Sequence, residues 1–168
     1  MLLLAGCAAE PAKPPPAQPK PAPLPIRPAP PPPSLPAPAP TAVEWQDLPL
    51  STGDWSFNQQ LVQASFGAGE PGFIVRCDPR ARQVLLLRPG VSTGNTMIVR
   101  TSETRRVLPL SITPDASATP YAGLNLDDPL LDGLAFSRGR FSVEVPGMPM
   151  LVIPSWPEPA RVVEDCRR

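Results

Sequence analysis

The sequence predicts a mainly β protein: a small β-sandwich or barrel of about seven to eight short strands with two short helices, behind a disordered Pro-rich tether. Three observations predict this. Short apolar segments recur at even spacing between Gly53 and Ile153 with turn residues between them, as in small sandwiches and barrels. Two further segments carry helix start signals and an apolar stripe at i, i+3, i+4 spacing. Prolines make up 16 of the 30 residues from 11 to 40, and such a stretch buries too little apolar surface to offset its ordering entropy. The chain of 168 residues therefore divides into an apolar start at 1–7, a Pro/Ala-rich linker at 8–40 and a foldable domain at 41–168. The last is of ordinary single-domain size.

The elements follow in order. Gly53–Phe57 and Leu61–Phe66 read as a first hairpin, connected by Asn58-Gln59-Gln60. Phe73, Val75 and Cys77 alternate and share one strand face. Asp78-Pro79 opens a turn, and Gln83–Arg88 is an apolar β run. Residues 89–95 read as a loop. Thr96–Thr101 and Val107–Ile112 are strands, with Glu103–Arg106 between them as a turn and Pro109 marking an edge or bulged strand. The first helix has Asp128 as N-cap, Pro129 at its first position, the stripe Leu130, Leu131, Leu134 and Ala135, and Gly139 as its stop. Phe141–Val145 and Met150–Ile153 are strands around Pro146-Gly147. In the closing helix Ser155 and Glu158 fit the capping box Ser-x-x-Glu, and Pro159, Val162, Val163 and Cys166 fall on one face.

Leu2-Leu3-Leu4-Ala5-Gly6-Cys7 is too short to cross a bilayer, which takes about 20 apolar residues. Leu4-Ala5-Gly6-Cys7 resembles the lipobox of bacterial lipoproteins. The resemblance implies that Cys7 is the lipidated N-terminus of the mature chain, and Ala8 after it implies the outer membrane. Such leaders carry basic residues before the apolar run; none precedes Leu2, as expected of a start placed too late or of a truncated chain. Acyl chains at about 0.8 kcal/mol per buried methylene hold a protein on a membrane durably. The linker then acts as a spacer. In polyproline II geometry, at about 3.1 Å per residue, residues 8–40 reach roughly 100 Å. Lys13, Lys20 and Arg27 either touch anionic wall polymer or headgroups, or keep an apolar spacer soluble.

Three cysteines are present. With Cys7 acylated, Cys77 and Cys166 remain, and in an oxidising exported compartment they are expected to be bridged. Such a bridge staples the last helix to the sheet. No metal site is expected from two thiols in a chain with no His.

The order Gly53-Asp54-Trp55, then Cys77-Asp78 in a strand, then Asp128–Gly147, then a closing helix with a Cys, resembles the uncharacterised exported invasion-associated locus B-like proteins. The resemblance is one of pattern over about Gly53–Cys166. It departs in lacking that family's other cysteines and in having Ser155–Asp165 where a Gly- and Ala-rich turn is usual. It implies a β-sandwich and residence in the periplasm or envelope, and no agreed catalytic activity. A weaker resemblance is to small lipoproteins that inhibit lysozyme.

Net charge is zero, and the positive charge of residues 41–168 is all Arg, so no basic field for nucleic acid is expected. Gly90-Val91-Ser92-Thr93-Gly94 matches G-x-S-x-G, but a nucleophile elbow needs a following helix and a His. Asp127, Asp128 and Asp132 are either an acid/base or cation cluster or helix N-terminal charge complements. Arg105, Arg106, Arg138 and Arg140 are candidate contacts for an anionic ligand, or solvated charges. Trp156 is a further candidate contact. Trp45 and Trp55 read as core or loop-covering residues.

The expectation is thus a non-enzymatic envelope lipoprotein, a binding or structural module displayed on a spacer and held at the outer membrane, facing the periplasm. Its partners are the membrane through the lipid anchor and peptidoglycan or another envelope protein; no cofactor is expected. Two alternatives compete. One is an inhibitor of a cell-wall hydrolase or protease acting through loops 90–95 or 146–149. The other is an enzyme using the three aspartates alone.

Overall fold

The computed structural model describes residues 44–168; Cys7, the apolar run before it and the linker at 8–40 lie outside the described residues. After a 3-10 turn at Trp45–Asp47 come strands β1 (Asp54–Asn58), β2 (Gln63–Ala68), β3 (Glu70–Asp78), β4 (Gln83–Leu87), β5 (Thr96–Arg100), β6 (Arg105–Pro109), β7 (Ser111–Ile112) and β8 (Pro120–Asn125). Helix α1 (Pro129–Ala135), strands β9 (Arg140–Glu144) and β10 (Leu151–Pro154) and helix α2 (Pro157–Cys166) complete the chain. Two antiparallel sheets form, in the orders β1-β2-β3-β4-β8-β7 and β10-β9-β5-β6. They make an open sandwich, one of the two architectures the alternating segments allow, and not a closed barrel, with ten strands rather than seven or eight.

Alternation builds the core. In β5 the pattern Met97, Val99 faces inward while Thr96, Ile98 and Arg100 face out. Four aromatic rings knit the two sheets together. Trp55 of β1 lies 5.5 Å from Phe66, 6.3 Å from Phe73 and 6.5 Å from Phe141, and Phe73 and Phe141 are 6.0 Å apart. The tilted and edge-on geometries suit the ring quadrupoles. The buried Trp55 indole N–H donates to the Pro154 carbonyl at 2.9 Å, so one side chain joins the outer strand of one sheet to the outer strand of the other. Strand β4 is buried on both faces from Val84 to Leu87, which is why it reads as a continuous apolar run.

Helix α2 lies across β1–β4 and against α1. Its face of Pro159, Val162 and Val163 is buried, and Cys166 is bonded to Cys77 of β3. Arg161 sits 4.1 Å above the Phe57 ring, a cation–π contact at the helix edge.

Several sequence expectations change. Leu61 and Val62 belong to the turn before β2, where Asn58 Oδ1 accepts from the N–H groups of Gln60 and Leu61 at 3.0 and 3.1 Å. Val107–Ile112 is not one strand. Pro109 ends β6, an edge strand of the four-stranded sheet, and Ser111 begins β7, an edge strand of the six-stranded one. Arg105 and Arg106 lie in β6 rather than in a turn. Strand β8 carries no clear strand pattern in the sequence, because Gly123 and the turn-rich stretch before Pro120 weaken it. Helix α1 ends at Ala135, and Gly139, at φ +75°, serves the turn into β9 instead. The capping box at Ser155 does not form. Pro157 fixes the first helical position, so Trp156 is the N-cap, with no side-chain cap bond. Ser155 sits one residue outside and donates its hydroxyl to Leu134 of α1 at 2.9 Å.

Candidate functional site

The residues that gather polar chemistry lie where β5 turns into β6. Thr101 shapes that turn: its hydroxyl accepts from the N–H groups of Glu103 and Thr104, at 3.3 and 3.1 Å. A second turn, Phe136–Gly139, is stitched to the first by two serines. Ser137 Oγ accepts the Ser102 N–H at 3.1 Å, and Ser102 Oγ accepts the Arg138 N–H at 3.1 Å. Ser137 also donates to the Arg140 carbonyl. The two turns thus hold Arg138 and Arg140 beside Ser102.

The N-terminal segment of the domain completes the site. Arg140 Nη1 donates to the carbonyls of Gln46 and Leu48 at 3.0 and 2.9 Å. This clip lays Trp45 against the arginines. Trp45, Gln46, Ser102, Arg138 and Arg140 line a cavity of about 280 Å³ with no carboxylate in its wall. A second cavity of about 360 Å³, which shares Trp45, is lined by Glu44, Arg100, Thr101, Glu103, Thr104 and Arg105 as well. Arg100 is paired with Glu144 at 2.9 Å.

The four arginines expected to contact an anionic ligand divide accordingly. Arg138 and Arg140 share a cavity, and Arg105 lines its neighbour. Arg106 projects from the opposite face of β6 to Arg105 and forks onto Asp128, Nη1 to Oδ1 at 3.2 Å and Nη2 to Oδ2 at 3.3 Å. It lines a third cavity, of about 350 Å³, with Pro129, Leu130 and the exposed Phe136. Trp156 caps α2 and is exposed, but the indole that joins the arginines is that of Trp45. Sequence reasoning missed Trp45 because more than ninety residues of chain separate it from Arg138 and Arg140.

Asp128 and Asp132 serve structure. Asp128 Oδ1 accepts the Leu130 N–H at 2.9 Å, as an N-cap does, and holds Arg106. Asp132 binds Arg167 of the C-terminus at 2.8 Å, and Asp127 is exposed. Among the described residues no group of three or more His, Cys, Asp or Glu is placed to hold a metal ion. Ser92 donates to the Gly94 carbonyl at 2.7 Å and is followed by strand β5, not by a helix.

The two loops at the far end of β5 form one cap. Thr93 N–H donates to the Pro146 carbonyl at 2.9 Å. Gly147, at φ +85°, lies so close to Thr93 that an added Cβ would sit 2.8 Å from its side chain. Val91 projects from this cap, 83% exposed. Beneath it Arg88 is buried and donates to the carbonyls of Gly72, Pro89 and Pro149 at 2.7, 3.3 and 3.1 Å.

No family model, curated protein or solved structure matches this chain. The Cys77–Cys166 bond belongs to an oxidising, extracytoplasmic compartment.

Proposed function

We propose that this chain is a lipid-anchored envelope module, held at the outer membrane through Cys7 and facing the periplasm. Its domain reaches a wall or protein partner on the linker at 8–40. One observation carries the reading. Of three cysteines, Cys77 and Cys166 are bonded to each other, and the third stands at the end of Leu4-Ala5-Gly6-Cys7, where a lipobox resemblance implies a thioether. The assignment of Asp128 and Asp132 to ion pairs supports a binding role over carboxylate chemistry. The pattern from Gly53-Asp54-Trp55 to Cys166 supports kinship with the invasion-associated locus B-like proteins. Arg105, Arg138 and Arg140 around Trp45 are the surface offered to peptidoglycan or to an envelope protein.

Mass spectrometry of protein extracted from cells tests this. The expected result is an acylated N-terminal peptide beginning at Cys7 together with the Cys77–Cys166 bond, and release of a Cys7→Ser variant from the membrane fraction. Unacylated protein recovered from the cytosol overturns it.

A second reading is supported by the braced cap at loops 90–95 and 146–149: a rigid apolar tip at Val91 suits insertion into a hydrolase active site. Titration of the protein against lysozymes and proteases tests it. Loss of enzyme activity that Val91→Asp abolishes supports it, and undiminished activity at excess protein removes it.

A further inference from the structure

We infer that the cavity between Trp45, Ser102, Arg138 and Arg140 binds a carboxylate-bearing sugar ring. This rests on the envelope-module reading and narrows it to a glycan. The cavity wall offers donors and an aromatic face. Its two guanidiniums, from Arg138 and Arg140, face no carboxylate within it. Among the described residues the Arg138 side chain makes neither a hydrogen bond nor an ion pair, only its backbone N–H being used. Arg140 commits Nη1 to two carbonyls, leaving Nη2 and Nε. Ser102 Oγ accepts the Arg138 N–H, leaving its own proton to donate. Guanidinium forks of this kind suit a carboxylate.

Trp45 selects the rest of the ligand. Half-buried and common to both cavities, its flat apolar face carries the negative quadrupole lobe and suits the slightly positive C–H face of a sugar ring. At about 280 Å³ the first cavity holds one substituted ring, at the small end of ligand sites. The second differs in charge: Arg105 and the paired Arg100 are answered there by Glu44 and Glu103. That balance suits a neutral polar ring. The pair of cavities therefore fits a strand in which a carboxylated sugar is followed by an uncharged one. The chain's own linker is a poor rival occupant, because Lys13, Lys20 and Arg27 outnumber Glu10 within residues 8–40 and oppose the arginines.

The test uses the full chain, with nuclear magnetic resonance of the Trp45 indole and Arg138 signals and calorimetry. The probes are N-acetylmuramic acid, N-acetylglucosamine, lactate and inorganic phosphate. N-acetylmuramic acid is expected to shift both signals saturably and to bind at least about ten-fold tighter than any of the other three, since each lacks the ring or the carboxylate. Arg138→Gln is expected to weaken it about ten-fold with an unchanged melting temperature, Arg138→Lys to recover only part, and Trp45→Leu to erase the preference over lactate. Equal binding of lactate or phosphate, or an Arg138→Gln variant that binds as wild type, overturns the inference. So does a protein captured from cross-linked envelopes through Arg138 while no sugar binds, and that outcome leaves the envelope-module reading standing.

Discussion

Cys77 in β3 and Cys166 in the last turn of α2 are bonded across a separation of 89 residues, their Cα atoms 5.5 Å apart. The bond closes a loop that contains every strand from β4 to β10. In the chain-entropy model, closing a loop of this size stabilises by roughly 4–5 kcal/mol. Cys166→Ser is therefore expected to lower the melting temperature by about 10 °C or more and to leave Cys77 reactive toward thiol reagents. Calorimetry with and without reductant checks this. An unchanged transition under non-reducing conditions would contradict the assigned role.

Asp128 combines two duties, capping α1 and holding Arg106. Loss of an N-cap costs about 1 kcal/mol, and a half-exposed ion pair adds less than about 1 kcal/mol. Asp128→Ala is expected to cost about 1–2 kcal/mol in urea denaturation. Asp128→Asn, which still accepts the Leu130 N–H, should cost less than half of that. Equal losses in the two variants would assign the stabilisation to charge rather than to the cap.

Arg88 is a buried cation, 7% exposed, whose two Nη groups donate to carbonyls instead of a carboxylate while its buried Nε has no partner among the described residues. Burial lowers its pKa from the ordinary arginine value, and it stays charged at neutral pH. Its removal strands three carbonyls and empties the space under the cap. Arg88→Ala is expected to cost about 3 kcal/mol and to open the loop at 90–95 to limited proteolysis. A variant that denatures like wild type would show that the carbonyls find other donors.

Asp115 organises the turn before β8. The Ser117 hydroxyl, then that of Thr113, hydrogen-bonds its carboxylate and holds its pKa below the ordinary aspartate value of 3.8. A lowered folded-state value means that the charged form favours the fold. The contribution is complete above pH 3.8 and fades as pH falls through the depressed value. Protection of the Ser117 and Thr119 amides, taken relative to their intrinsic exchange rates at each pH, is expected to fall on acidification through that range. Asp115→Asn should remove this pH dependence; a variant that keeps it would assign the transition to another group.

The parts legible in the sequence are those set by neighbours along the chain. Asp128 and Pro129 announce a helix start because a cap bond spans two residues. Phe73, Val75 and Cys77 announce a shared face because strand period is local. The same locality misleads at Ser155, where Ser-x-x-Glu is present but Pro157 moves the start by one residue. It fails again at Leu110, where the chain leaves one sheet for the other: Pro109 marks an edge, but no residue type says that the next strand joins the other sheet.

The order of residues already carried the mainly β class, both helices, the inward face of α2 and the candidacy of Cys77 and Cys166 for a bridge, since periodicity and capping are properties of adjacent residues; it left sandwich and barrel equally open. Which arginines share a cavity with an indole was settled by folding alone. Arg106 turns away to Asp128 while Arg140 draws in the backbone of Gln46 and Leu48, because antiparallel pairing and a clip across 94 residues place groups by closing the fold, not by their order in the chain.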